Sequence, residues 1–139
     1  MRKQREKRET YPCPTPGAAD ILLDKAKKEV ATDPRQAAEK GWLAVVTAVR
    51  ALLRASGGNW KSTQRVAENL SKFETAHNMS HNVSSLVTTM ARNLHGSAFY
   101  RGDPEFYDNA ALESSFNIVE QIIDNCESLC RFYGSKRSR

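Results

Sequence analysis

Cysteine is scarce in this 139-residue chain, and the three present (Cys13, Cys126, Cys130) form no spaced disulfide framework. An odd, unpatterned count fits a reducing compartment, so a cytoplasmic location is expected. No apolar run approaches the roughly eighteen residues that a membrane helix needs, so no membrane contact is expected. The Arg/Lys-rich opening is followed by no apolar signal core, which argues against secretion. The sequence also lacks a Gly-rich phosphate loop, a G-x-S-x-G elbow and an Asp/Glu cluster of the kind that holds magnesium, and no cofactor is expected. No stretch alternates apolar and polar residues with a period of two, so nothing predicts a sheet. Proline is confined to three positions within 12–16 and to two Asp-Pro pairs, Asp33-Pro34 and Asp103-Pro104.

The remaining chain is amphipathic helix. The length is that of one domain able to bury a core, and 40% hydrophobic with 27% charged residues is ordinary for a globular protein. A first helix is predicted over 18–31, with Ile21, Leu22, Leu23, Ala26 and Val30 in a stripe. Asp33 caps and Pro34 opens a second helix reaching about Ala55. There Trp42, Val45, Val46, Val49, Leu52 and Leu53 face inward, Arg50 and Arg54 face elsewhere, and Gly57-Gly58 ends it. A third helix is expected over 60–76 with Asn59 as cap. A fourth starts at His81 or Asn82 and runs through Gly96, whose cost of roughly 1 kcal/mol against Ala suggests a close backbone approach. A fifth runs from Pro104 or Tyr107 to Tyr133 and stops at Gly134. Short links make neighbouring helices antiparallel. The expected fold is therefore all-α: an antiparallel four-helix bundle with one additional short helix. Residues 1–17 read as a basic, Pro-rich flexible arm, 18–134 as the domain, and 135–139 as a basic tail.

Charge follows the same division. The net charge of +5 is made of +3 over residues 1–9 (five basic, two acidic), +4 over 131–139 (four basic), and −2 over 10–130. Basic ends of this kind suit phosphate backbones, through release of condensed counterions, or serve only as solubilising termini.

Three constellations carry potential chemistry. His77 and His81 have H-x3-H spacing, but Asn78-Met79-Ser80 breaks the helix between them and no further ligands are evident, so no metal site is expected and His77 is read as a partly buried, hydrogen-bonded residue. Cys126 and Cys130 lie on the apolar face of the last helix and read as core, while Cys13 is expected to be an exposed thiol. The densest polar cluster is Met90 to Gly102, with Arg92, Asn93, His95, Tyr100 and Arg101. On an α-helix Arg92 and His95 would lie on neighbouring turns of one face. There the Arg would fork onto a phosphate and the His would hold or move a proton. The plain alternative is a solvated Arg92 and a packed His95.

Two segments, I-L-L-D-K-A…A-A-E-K-G-W-L-A-V-V-T-A-V-R-A-L and A-R-N-L-H-G-S-A-F-Y-R-G, resemble the HEPN superfamily of helical bundles, and within it the archaeal PaREP-type proteins. The likeness spans about residues 20–130. It implies an antiparallel four-helix core, a homodimer, and a groove beside the Arg/His segment. Some HEPN relatives are metal-independent ribonucleases with an Arg, a polar residue and, four to six residues beyond the Arg, a His; here Arg92-Asn93 matches the first two and His95 follows three after Arg92. The expected function is a nucleic-acid or nucleotide-binding protein whose candidate ligand-binding residues are Arg92, Asn93, His95, Tyr100 and Arg101, with no assigned catalytic residue. The alternatives are a metal-independent ribonuclease and a non-catalytic partner subunit of a nucleotidyltransferase-type system.

Overall fold

The computed structural model describes residues 14–137. Among them the regular elements are α1 (Pro16–Glu29), α2 (Pro34–Ser56), α3 (Val66–Ala76), α4 (Asn82–Met90), a π-helical segment (Ala91–Tyr100), α5 (Pro104–Tyr107) and α6 (Asn109–Arg137), with no strand. The all-helical expectation holds, and no helix of the described residues is long and apolar enough to cross a membrane. Cys13 and residues 1–9 lie outside the described residues.

Sequence dictates most of the boundaries. The Thr15 hydroxyl accepts from the Ala18 N–H and starts α1 at Pro16, two residues earlier than predicted. Asp33 accepts from the Gln36 N–H at 3.2 Å and Pro34 opens α2. Gly57, at φ +84°, closes α2 in the left-handed conformation that a side chain resists. Asp103 precedes Pro104 but makes no side-chain cap, and α5 lasts one turn; Asp108 caps the long helix instead, accepting from the Ala111 N–H at 2.8 Å. That helix runs through Gly134 to Arg137 rather than stopping at the glycine.

α2 is the hub, packed against α1, α3, α6 and the π segment. From Ala37 to Leu53 nearly all its residues are buried, because alanines between the larger apolar residues let neighbours approach on every side. Arg50, expected to face away, is therefore buried as well. Its Nε donates to the Trp60 carbonyl at 2.8 Å and its guanidinium stands 5.7 Å from the indole centroid. That bond occupies the carbonyl of Trp60 and holds the chain in a loop, which is one reason α3 starts at Val66 and not at 60. Cys126 and Cys130 are free, buried thiols of the core, as expected. Burial raises both, Cys130 to about 11, so neither is a ready nucleophile.

α3 hands over to α4 through one buried carboxylate. Glu74, 1% exposed, accepts from the Ser84 N–H (3.1 Å) and hydroxyl (2.5 Å), and its Oε1 lies 3.1 Å from His81 Nδ1. It thus caps the first turn of α4 from another helix. Elsewhere, α1 and α6 bring Asp20 to Glu127. A hydrogen bond with Asp20, with partial burial, pushes the Glu127 carboxyl from an ordinary value near 4.5 up to about 7. A raised folded value means that the folded chain holds this proton more tightly than the unfolded chain. The stability it adds is complete below about pH 4.5 and is lost as pH rises through about 7. Glu127→Gln keeps a donor toward Asp20 at every pH. It should raise the melting temperature at pH 8 by on the order of 1–2 °C for so exposed a pair, and leave it unchanged at pH 4.5. Thermal melts at the two pH values check this, and equal shifts at both would refute it.

Candidate functional groove

The segment that carries the sequence cluster does not continue α4 as an α-helix. From Ala91 its backbone adopts i→i+5 pairing, as in Arg101 N–H to Gly96 C=O at 2.9 Å, and Asp103 N–H reaches Ser97 C=O at 2.9 Å. A ten-residue π-helix is long for its kind, and such turns cluster at functional sites. Leu94, Ser97 and Ala98 stay buried, so the wider turn rearranges what faces outward. Gly96 is not a point of close approach: a Cβ there would meet only the Ala91 carbonyl at 3.6 Å.

The end of the segment is held from α2. The Arg35 guanidinium donates to the Phe99 carbonyl and, at 3.5 Å, to that of Tyr100. These are carbonyls that a helix end leaves without partners. Gly102, at φ +65°, lies against the same guanidinium, and a Cβ would sit 2.9 Å from Arg35 Cζ. The glycine of F-Y-R-G is thus required by its conformation, while a side chain there would also push the Arg35 head group off the carbonyls it holds.

His95, one turn before that held end, has a side chain 37% exposed. Its Nδ1 lies 2.8 Å from Glu39 Oε1, a residue of α2 whose side chain is 18% exposed. Burial raises the Glu39 carboxyl, and the hydrogen bond and charge of His95 work against that rise. Aromatic rings surround the imidazole: Tyr100 meets it edge-on at 4.8 Å, Phe99 lies roughly parallel at 6.4 Å, and Trp42 is at 6.1 Å. Tyr100 is 69% exposed. Beside it a cavity of about 370 Å³ is lined by Asp33, Arg35, Gln36, Phe99 and Tyr100.

The five residues singled out from sequence are placed unequally. His95 and Tyr100 are in contact. Arg101 turns back, its Nη2 donating to Ser97 Oγ at 2.7 Å and its Nε 3.8 Å from Asp103. Arg92 is exposed and makes no hydrogen bond or ion pair among the described residues, and Asn93 is half-buried. Because the backbone is π-helical, the α-helical register that would put Arg92 and His95 on one face does not apply; the described partner of His95 is Glu39. Sequence reasoning missed Glu39 and Arg35. The one available signal for Glu39 was an acid set among the alanines and Trp42 of the most core-like helix.

A metal is not what these residues gather. His77 Nδ1 donates to the Phe73 carbonyl at 2.9 Å and its exposed ring packs against Phe73 and Tyr133, while His81 turns to Glu74 and Ser71. Asn78, at φ +57°, makes the break between them. Among the described residues no group of three His, Cys, Asp or Glu could hold a metal ion.

Fold and groove together define an all-helical protein with an imidazole–carboxylate pair ringed by aromatic side chains. Residues 17–121, which include α1 from its second residue, all of α2 and the whole π segment, match the model of the archaeal PaREP1/PaREP8 family, and the chain belongs to that family. No curated protein and no solved structure matches it.

Proposed function

We propose that this chain is a HEPN-like protein, its helices arranged as an antiparallel four-helix bundle, that binds single-stranded RNA or a nucleotide in the His95 groove and acts as a homodimer. The observation that carries this reading is the imidazole fixed by Glu39 at 2.8 Å beneath an exposed tyrosine. Bases released from a duplex stack on such rings whatever their identity, and phosphates need cations nearby. Tyr100 offers the ring, Arg92 offers a guanidinium with no partner among the described residues, and Arg101 offers a second by leaving Ser97 and Asp103. Titrating a labelled oligouridine at increasing salt tests this. Affinity should fall steeply with salt, and Arg92→Ala should reduce the slope of log affinity against log salt by about 0.7. Tyr100→Ala should weaken binding about tenfold without changing the slope. No binding at low salt would end the reading.

The Glu39 contact also favours a second reading, a metal-independent ribonuclease. A carboxylate that accepts from Nδ1–H leaves Nε2 as the basic nitrogen, the orientation a general base needs to take a proton from a 2′-hydroxyl. The same RNA incubated with protein in excess chelator decides it: cleavage by the chain and none by His95→Ala supports the enzyme.

A further inference from the structure

The cavity of about 370 Å³ beside Tyr100 brings charges of both signs to one aromatic wall. Asp33, Arg35 and Gln36 line it from the start of α2, and Phe99 and Tyr100 from the end of the π segment. Its polar side chains all have capacity left. Asp33 Oδ1 accepts from the Gln36 N–H at 3.2 Å, while Oδ2 has no partner among the described residues. A carboxylate accepts at about four positions, so the cap leaves most of them open. Arg35 uses Nη2 on the Phe99 and Tyr100 carbonyls, and its Nε and Nη1 have no partner among the described residues. Gln36 is exposed beside them.

At about 370 Å³ the cavity is near the small end of ligand sites and suits one ring system better than a whole nucleotide. A phosphate is a poor occupant, because the Asp33 carboxylate would face it across the same space. A base is a good one. Tyr100, 69% exposed, gives it a face to stack on, and the same ring meets His95 edge-on at 4.8 Å, so a base held there lies next to the imidazole. The bases differ in what they present to a carboxylate and a guanidinium. Guanine sets two donors side by side, N1–H and the 2-amino group, and beside them the acceptors O6 and N7 that an Arg reads. Adenine and cytosine offer the carboxylate one amino group next to a ring nitrogen that repels it, and uracil offers one N–H between two carbonyls.

We infer that this cavity is a guanine-selective base site: Asp33 accepts from N1–H and the 2-amino group, Arg35 donates toward O6 or N7, and the base stacks on Tyr100. This selectivity rests on RNA binding in the His95 groove, proposed above, and adds a preferred base to it.

Anisotropy of the full chain with the labelled pentamers UUUUU, UUAUU, UUCUU, UUGUU and UUIUU, at one low salt concentration, is the test; inosine (I) lacks the 2-amino group. UUGUU is expected to bind about tenfold or more tighter than UUUUU, the discrimination of a good bidentate base contact. UUIUU should fall between the two, and UUAUU and UUCUU within about threefold of UUUUU. Asn caps a helix about as well as Asp, so thermal melts should find Asp33→Asn folded. Its Oδ1 stays with the Gln36 N–H and its amide nitrogen turns donors toward those of guanine, which should bring UUGUU to within about threefold of UUUUU. Arg35 is left in place because it also holds the end of the π segment. Equal affinity for all the pentamers, a preference for adenine or cytosine, UUIUU matching UUGUU, or a guanine preference that survives Asp33→Asn would each overturn the base site and leave RNA binding standing. No binding of any pentamer would remove both.

Discussion

Gly41→Val should lower the melting temperature by about 10 °C and displace the groove with it. A Cβ at position 41 would lie 2.6 Å from Phe116 Cε1, 3.2 Å from Cδ1 and 3.6 Å from Leu94 Cδ1. Leu94 is fully buried, and Phe116, 4% exposed, can retreat only toward the cavity of about 350 Å³ that it lines with Val30 and Leu112, giving up its packing against α2. α2 and α6 must separate, or the phenyl ring must leave its rotamer. Overpacking of this kind costs roughly 1–3 kcal/mol for a single methyl group and more for a branched side chain. Against this, replacing an interior helical glycine normally gains up to about 1 kcal/mol for alanine and less for valine. The loss prevails, and at about 3–4 °C per kcal/mol for a chain of this length, valine loses about 10 °C and alanine about 3–5 °C. Gly96→Ala is the control: it meets only a carbonyl at ordinary contact distance and should change the melting temperature by less than about 3 °C. Thermal melts by circular dichroism rank the three. Because Glu39 lies two residues before Gly41 on α2, and Leu94 precedes His95, the same variant should also separate the imidazole from its carboxylate. That loss appears as a changed His95 ring signal by NMR.

Gly41 also shows where reading the sequence stopped. The helical cost of an interior glycine points to a close approach at Gly96; the approach is at Gly41, hidden in a run of alanines. Apolar periodicity was enough to find each helix, since Val45, Val49, Leu52 and Ile122 repeat at helical spacing and need nothing else to be placed inside. It failed at Arg50, because a helix buried on all sides has no polar face to mark, and a long side chain then reaches a local acceptor, here the Trp60 carbonyl through Nε. The π register was invisible for a different reason. The last carbonyls of the segment are held by Arg35, more than sixty residues away in sequence, and Gly102 gives no hint of that partner. Glu39 and His95 are likewise 56 residues apart and were found separately or not at all. The sequence cluster identified the segment where polar groups concentrate; the partner of its histidine came from another helix.

Glu74→Ala should be the second severe loss, by about 2–4 kcal/mol, since hydrogen bonds to charged groups contribute roughly 1.5–3 kcal/mol each and a stranded buried donor keeps its full desolvation cost. The carboxylate accepts from both the N–H and the hydroxyl of Ser84, which is itself 6% exposed. Without it the N–H in the first turn of α4 faces packed protein, while His81, with a half-exposed side chain, retains Ser71 and water. Removing a buried charge returns part of the loss, which is why the figure is less than the sum of the bonds. The melting temperature should fall by about 7–14 °C. Glu74→Gln, whose amide oxygen still accepts from the Ser84 N–H and whose amide nitrogen donates to the Ser84 hydroxyl, should lose less than half as much. Equal losses in the two variants would show that the negative charge, and not the cap, is what matters. Hydrogen exchange locates the effect: the Ser84 amide and the first turn of α4 should lose protection in Glu74→Ala before α2 does. Since α4 leads directly into the π segment, that local opening should loosen the anchor of His95 from its N-terminal side while Arg35 still holds the other end.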